Sequence, residues 1–273
     1  MSATKDYLVK PGSKVKLSDW DPADDGGLAR AEAEQRMAEN LETMAELQHK
    51  LYAEGKRALL VVLQGMDAAG KDSTVRHVFG RMNPTGVRVT SFKRPTEEEL
   101  AHDFLWRVHR QTPPRGGVAI FNRSHYEDVL VVRVDELVSE KVWKRRYGQI
   151  RSFETYLNQG GTEIVKIYFH ISKGEQRRKL VRRITDPKRN WKFEPADFVT
   201  RGKWDQYMAA YEEALGETST EESPWYVVPS DVKWYRKWLV SEIVVKTLER
   251  MRPDYPPVRL DPGEAMRLIE SIE

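Results

Sequence analysis

The sequence predicts an α/β protein, a parallel five-stranded sheet sandwiched by helices, and three observations point there. Five short apolar runs rich in β-branched residues, at 58–63, 87–92, 118–121, 164–171 and 225–228, have the composition of buried strands. Most of the intervals between them are long enough to hold a helix, which is what parallel strands require of their crossovers. The first run also leads directly into the glycine-rich turn 65–71, and in open parallel sheets ligands gather at the carboxyl ends of the strands.

The elements follow in order. Asp24-Asp25-Gly26-Gly27 is a turn and helix start, and the helical pattern over 28–52 stops at Gly55. Met37, Leu41, Met44, Leu47 and Leu51 recur every three or four places, giving an apolar face for the chain's own core or for a subunit interface. With 273 residues, of which 40% are hydrophobic, the chain can bury a proper core, and one domain over 1–273 is expected. Its parts are an N-terminal extension and helix (1–55), a core (56–251) with a lid at about 174–193, and a C-terminal tail (252–273). No apolar run approaches a membrane span and the opening residues lack a signal-peptide centre, so a cytoplasmic protein without a membrane partner is expected. The absence of cysteine removes disulfides and thiolate metal sites from consideration. Net charge is only +3, yet an uneven distribution of charge can hide a basic groove behind a near-neutral total.

The turn itself reads Gly65-Met66-Asp67-Ala68-Ala69-Gly70-Lys71-Asp72-Ser73 and is followed by a helical run over 73–82. Glycines at both ends let backbone N–H groups turn inward on an anion, the helix start offers its positive end, and the lysine adds a mobile charge. Gly65, Ala68, Ala69, Gly70, Lys71, Asp72 and Ser73 are therefore the candidate phosphate cradle of a P-loop. Where such loops carry Ser or Thr directly after the lysine as a Mg²⁺ ligand, this chain has Asp72. Asp67 is a second anomaly, because a carboxylate inside the loop would repel phosphate unless a divalent cation sat between them; the plainer alternative is a turn-forming residue.

The third strand ends in Phe121-Asn122-Arg123-Ser124-His125-Tyr126-Glu127-Asp128. P-loop enzymes place a metal-directing acid near such a strand end, whereas Asn122 is neutral and the acids follow it. If 124 onward is α-helical, Asp128 lies on the face of Ser124 and points back to the loop with Arg123. His125 invites the role of general base, but phosphoryl transfer needs positioning and charge stabilisation more than proton abstraction, so a structural place is expected for it. Arg133, five residues beyond Asp128, is either a surface ion-pair residue or a phosphate ligand.

A third segment, from Arg177 to Lys192, carries eight Lys or Arg against the single acid Asp186. Arg178 and Arg182, and Lys179 and Arg183, repeat at four-residue spacing, so a helix would present two adjacent basic rows that repel one another unless an anion neutralises them. A turn at Asp186-Pro187 interrupts the rows. The expectation is a lid that closes over a polyanion, placed where nucleoside-monophosphate kinases carry theirs.

These motifs resemble the polyphosphate kinase 2 family: Gly65-x-Asp67-x-x-Gly70-Lys71-Asp72, Phe121-Asn122-Arg123-Ser124-x-Tyr126-Glu127-Asp128-Val129, and a basic stretch ending Asn190-Trp191-Lys192-Phe193. The similarity extends over nearly the whole chain, through Leu51-Tyr52-Ala53-Glu54-Gly55, Asp103-Phe104-Leu105-Trp106-Arg107, Trp204-Asp205 and Pro224-Trp225-Tyr226-Val227-Val228-Pro229. The resemblance implies a P-loop kinase fold like that of thymidylate kinase, with a basic helical lid. It implies Mg²⁺-dependent phosphoryl transfer, with Mn²⁺ as a substitute, between inorganic polyphosphate and AMP, ADP and ATP, often in a homodimer or homotetramer. By the same resemblance, Asp67 and Asp128 handle metal and the accepting phosphate, Lys71 and Arg123 hold the transferring phosphates, and Arg133, Arg178, Arg182 and Arg183 grip the chain or close the lid. Asn122 with Glu127 and Asp128 is similar to the class III branch, which accepts both AMP and ADP, and puts Asn122 and Glu127 on the nucleotide side.

Two other readings use the same residues. An ATP-dependent nucleoside-monophosphate kinase shares the fold and loop. A P-loop protein that binds nucleic acid through the 177–192 stripe would need aromatic interleaving, and Trp191 and Phe193 alone make a thin stacking platform.

Overall fold

Five strands, β1 (Ala58–Gln64), β2 (Val87–Ser91), β3 (Val118–Asn122), β4 (Thr162–His170) and β5 (Trp225–Pro229), pair side by side in the order β2-β3-β1-β4-β5, every pair parallel. The computed structural model that shows this describes residues 4–258 and 260–272. The expected runs coincide with all five strands, with ends shifted by no more than two residues. All seven residues of β1 are buried, as a strand covered on both faces must be, and so it carries no polar alternation. Register puts Leu63 beside Asn122 and Gln64 beside Tyr168, so the chain leaves β1 and β3 at adjacent points on one edge.

The helices are α1 (Arg30–Glu54), α2 (Lys71–Val78), the short α3 (Glu97–Leu100), α4 (Trp106–His109) and α5 (Val131–Val134), then α6 (Glu140–Gln159), α7 (Lys173–Thr185), α8 (Ala196–Gly202), α9 (Trp204–Thr218), α10 (Lys233–Met251) and α11 (Pro262–Glu270). Helix α1 ends where Gly55 adopts φ 59°, a left-handed cap that glycine takes without a Cβ penalty. Its apolar stripe is spent inside the chain: Leu41, Met44 and Leu51 are buried, Met37 and Leu47 pack on the core, and Asn40 Nδ2 donates to Ser241 Oγ of α10 at 3.0 Å. The helical run after the loop is shorter than expected, stopping at Val78 with Phe79 as its cap, and Met82 N donates back to Phe79 O. Beyond the outer edge of β5, Val9 N donates to Trp225 O at 2.9 Å and Leu8 bridges Tyr226, so the N-terminal segment covers an otherwise open strand. Among the described residues, no helix is long and apolar enough to cross a membrane.

Candidate active site

The loop between β1 and α2 is shaped by three left-handed residues, Gly65 (φ 147°), Ala68 (φ 63°) and Gly70 (φ 117°). Gly65 has a steric reason as well: a Cβ there would lie 2.9 Å from the Phe169 carbonyl oxygen of β4. Ala68 and Arg123 are two of the four described non-glycine residues with positive φ, and both are at this site. Each such residue costs on the order of 1–3 kcal/mol, and such strain persists where the surroundings over-determine a working geometry.

Lys71 opens α2 and curls back over the loop, its Nζ donating to the carbonyls of Gly65 at 2.5 Å and Met66 at 3.2 Å. Its side chain is buried beneath the cleft. Burial first, then the Arg123 charge, pushes its ammonium down to about 8, with Asp67 and Glu127 opposing.

Arg123 follows β3, and its guanidinium pairs with Asp67 and lies 3.6 Å from Glu127. Glu127 foremost, with Asp67, holds the guanidinium more firmly charged than usual. Asn122 Nδ2 donates to Asp72 Oδ1 at 2.8 Å, and Lys192 of the lid stands 4.0 Å from the other Asp72 oxygen. Asp72, in the place of the usual hydroxyl residue, thus ties the strand end to the lid.

The structure corrects the placement expected of Asp128. Residues His125–Asp128 form a 3₁₀ turn capped by Ser124, not an α-helix. With three residues per turn, i and i+3 share a face, so Glu127 rather than Asp128 is aligned with Ser124 and turned to Arg123. Asp128 faces the other way, where its Oδ1 accepts from Arg146 at 3.1 Å and burial raises its carboxyl above the ordinary range. His125 is fully buried, its Nε2 3.1 Å from Glu154 Oε1, away from any substrate in the cleft. Arg133 is likewise outside the cleft lining: it pairs with Glu213 at 2.7 Å and packs over Trp143.

Helix α7 and the turn after it, the segment expected to act as a lid, bring their basic residues to the cleft. Gln176 and Leu180 bury one face, and Gln176 Nε2 donates to the Asp67 carbonyl at 3.1 Å, docking the lid on the loop. The basic rows are less bare than their sequence suggested, because Glu175 and Asp197 lie just outside the 177–192 window. Glu175 takes Arg178 through two bonds of 2.6 Å, Asp197 takes Arg183 at 2.7 Å, and Asp186 is 3.9 Å from Arg182.

Loop, strand end and lid enclose a cleft of about 730 Å³ lined by twelve Lys or Arg residues and three acids, Asp67, Asp72 and Glu194. Asp67, Ala68, Gly70, Lys71, Asp72, Ser73, Asn122, Arg123, Arg178, Arg182 and Arg183 all line it; Gly65 and Ala69 lie behind it as the backbone of the loop, and Glu127 stands behind Arg123 rather than in the lining. Sequence reasoning missed Arg76, Lys93, Lys233 and Arg236. A signal existed for three of them: Lys93 follows β2, and Lys233 and Arg236 follow β5, so all three leave the same sheet edge as the loop.

A phosphate loop at the end of the central strand, under a basic helical lid, defines a P-loop protein of the kinase type. The chain belongs to the polyphosphate kinase 2 family, whose model, described as Polyphosphate kinase 2 (PPK2), matches residues 27–256. It is 53% identical over 257 residues to the AMP/ADP-polyphosphate phosphotransferase of Meiothermus ruber, covering 92% of this chain and 95% of that one. It is 45% identical over 266 residues to the ADP-polyphosphate phosphotransferase of Rhodopseudomonas palustris, covering 93% and 92%. The crystal structure of polyphosphate kinase 2 from Arthrobacter aurescens TC1 superposes with a TM-score of 0.95 at 40% identity, over 99% of this chain and 97% of that one.

Proposed function

We propose that this protein transfers phosphoryl groups reversibly between inorganic polyphosphate and adenine nucleotides, AMP to ADP and ADP to ATP, as in the class III branch of its family. The observation that carries this reading is the imbalance of twelve cations against three acids around one phosphate loop. Polyphosphate carries about one negative charge per internal phosphate, so a cleft this basic gains attraction, and releases counterions, along a polymer in a way a single nucleotide does not require.

In this reading Lys71 and the loop amides hold the donor's terminal phosphate, and Arg123 stabilises charge on the passing phosphoryl group. The lid residues Arg178, Arg182 and Arg183 grip the rest of the polymer and exclude water. The acceptor lies towards Asn122, at the end of β3 beside the loop, and Glu127, in the 3₁₀ turn that follows it and 3.6 Å from Arg123. The charged groups are set before the substrate arrives, through the ion pairs with Asp67 and Glu127, so little reorganisation remains for the reaction itself.

Mg²⁺, with Mn²⁺ as a substitute, fits the donors present. Among the described residues no group of three or more His, Asp or Glu is arranged to hold a metal alone. Asp67 and Glu127 nevertheless converge on Arg123, and Mg²⁺ is commonly bound by one or two carboxylates together with substrate phosphates. The ion would supply neutralisation of charge on donor and acceptor oxygens. Asp128, held by Arg146, would act behind Glu127. We further propose a cytoplasmic homodimer or homotetramer in which residues 56–251 form the catalytic core.

The test is to mix pure protein, AMP, Mg²⁺ and long-chain polyphosphate without ATP and to follow nucleotides by chromatography. The reading predicts ADP and then ATP. Conversion of AMP only when ATP is added would replace it by a nucleoside-monophosphate kinase, and salt-sensitive binding of nucleic acid without phosphotransfer would replace it by a binding protein.

A further inference from the structure

Arg236 is among the largest fully buried side chains of the protein, with 1% of its surface exposed, yet it lies at the floor of the cleft. It comes from the first turn of α10, at the end of β5, where an arginine ordinarily points to solvent. Its Nη1 donates to two carbonyls at 3.1 Å each, that of Ala69 in the phosphate loop and that of Ser230 after β5. Ser230 N in turn donates to His170 O at the end of β4, so the guanidinium joins the loop to the ends of two strands. Its Nε has no partner, an unusual cost for a buried donor. A Cβ at Gly70 would overlap the guanidinium, so the second loop glycine is required by this packing as well as by its φ of 117°.

We infer that Arg236 is a positioning residue for phosphoryl transfer, a fixed cation that braces the Ala69–Gly70 peptide from beneath so that the loop amides face the phosphates. In a trans peptide the C=O and the following N–H point in opposite directions. Anchoring the Ala69 carbonyl on Arg236 therefore turns the Gly70 N–H away from the guanidinium and towards the anion side of the loop. The same charge acts on the lid: burial first, then Arg236, pushes the Lys179 ammonium down to about 8. An anion in the cleft relieves that repulsion, so the brace also favours a loaded site over an empty one.

This assignment rests on the reading of the cleft as the site of phosphoryl transfer, and its test is chosen to fail separately from that reading. Arg236→Lys keeps the charge, but its shorter side chain leaves the ammonium short of the Nη1 position that reaches both carbonyls; Arg236→Met keeps length and loses the charge. Two readouts need no nucleotide: hydrogen–deuterium exchange of the 66–73 amides and binding of inorganic tripolyphosphate. A third is the separation of kcat from KM. The assignment predicts faster loop exchange in both variants, weaker tripolyphosphate binding chiefly in Arg236→Met, and a fall in kcat of about 10²-fold in Arg236→Lys, as a loop displaced by about 1 Å would give. If both variants melt lower but keep loop exchange, kcat and KM within about twofold of the native protein, Arg236 is only packing and the inference is overturned; it is equally overturned if neither variant folds. If only Arg236→Met fails to fold, Arg236→Lys decides alone. Failure of the native protein to use polyphosphate would remove the reading of the donor while leaving the exchange result to decide the brace.

Discussion

Behind the 3₁₀ turn that carries Glu127 lies a cluster of four buried polar side chains, and substituting Lys166 should damage stability and turnover together. Lys166 Nζ donates to Glu154 Oε2 at 2.6 Å, to the Thr218 carbonyl at 2.7 Å and to Tyr126 OH at 3.0 Å. Glu154 Oε1 also accepts from Tyr126 OH at 2.8 Å and faces His125 Nε2 at 3.1 Å. Lys166, with burial pushing its ammonium down, and Glu154, whose carboxyl Lys166 and His125 hold low against burial, therefore form a fully buried charge pair. Lys166→Met leaves the Glu154 carboxylate buried without its ammonium partner, a change that costs about 3–5 kcal/mol. For a chain of this size that corresponds to a fall in Tm of about 10 °C. The double variant Glu154→Gln, Lys166→Met removes both charges and leaves an amide oxygen to accept from Tyr126, so it should recover to within about 2 kcal/mol of the native protein. Urea unfolding of the native protein and both variants reads these differences, and kcat should track them because His125 and Tyr126 belong to the turn that aims Glu127. A single variant no less stable than the double would refute the claim that the pair is held as charges.

Four further outcomes follow from the site. Lys71→Ala should lower kcat by about 10²–10³-fold while leaving Tm unchanged or raised, because the lost group is a cation disfavoured by burial and by Arg123 more than its two carbonyl partners, Asp67 and Glu127 favour it; full activity would remove Lys71 from the mechanism. Since the Lys71 and Lys179 ammonium groups are pushed down to about 8, they lose their protons as pH rises through that value, so tripolyphosphate affinity measured by calorimetry should be level up to about pH 7.5 and fall above 8. The stability of the unliganded fold should move the opposite way, rising from pH 8 towards 10, because the unfolded chain then binds more protons than the native one. Arg182→Gln, which leaves the loop untouched, should raise KM for long-chain polyphosphate more than for tripolyphosphate and flatten the salt dependence of KM, whereas an equal effect on both donors would place Arg182 outside the polymer's path.

The sheet was legible because its central strands β1 and β4 are buried on both faces, so the run at 58–63 is apolar throughout and that at 164–171 is interrupted only by Lys166 and His170. The loop was legible for a related reason, since Gly65 and Gly70 are demanded by backbone geometry that only glycine satisfies easily. Asp128 was placed wrongly because Ser124-His125-Tyr126-Glu127-Asp128 is compatible with both helix types, and the choice between i+3 and i+4 is made by packing: Tyr126 and His125 must reach Glu154. The position of Arg236 after β5 was a signal for its place at the cleft, but nothing local announced its burial. Its burial depends on the space above Gly70, 166 positions earlier in the chain. The lid's basic rows were visible, but the acids that steady them, Glu175 and Asp197, are brought in by the N-terminal turn of α7 and by α8 folding back.

The central claim is that the basic cleft holds an inorganic polymer with its terminal phosphate on the loop. A crystal structure of the protein soaked with polyphosphate tests it most directly. The account predicts one phosphate against the amides of residues 68–71 and Lys71, with the chain running on past Arg178 and Arg182. Polymer lodged away from the glycine turn, with the cleft empty, would contradict it.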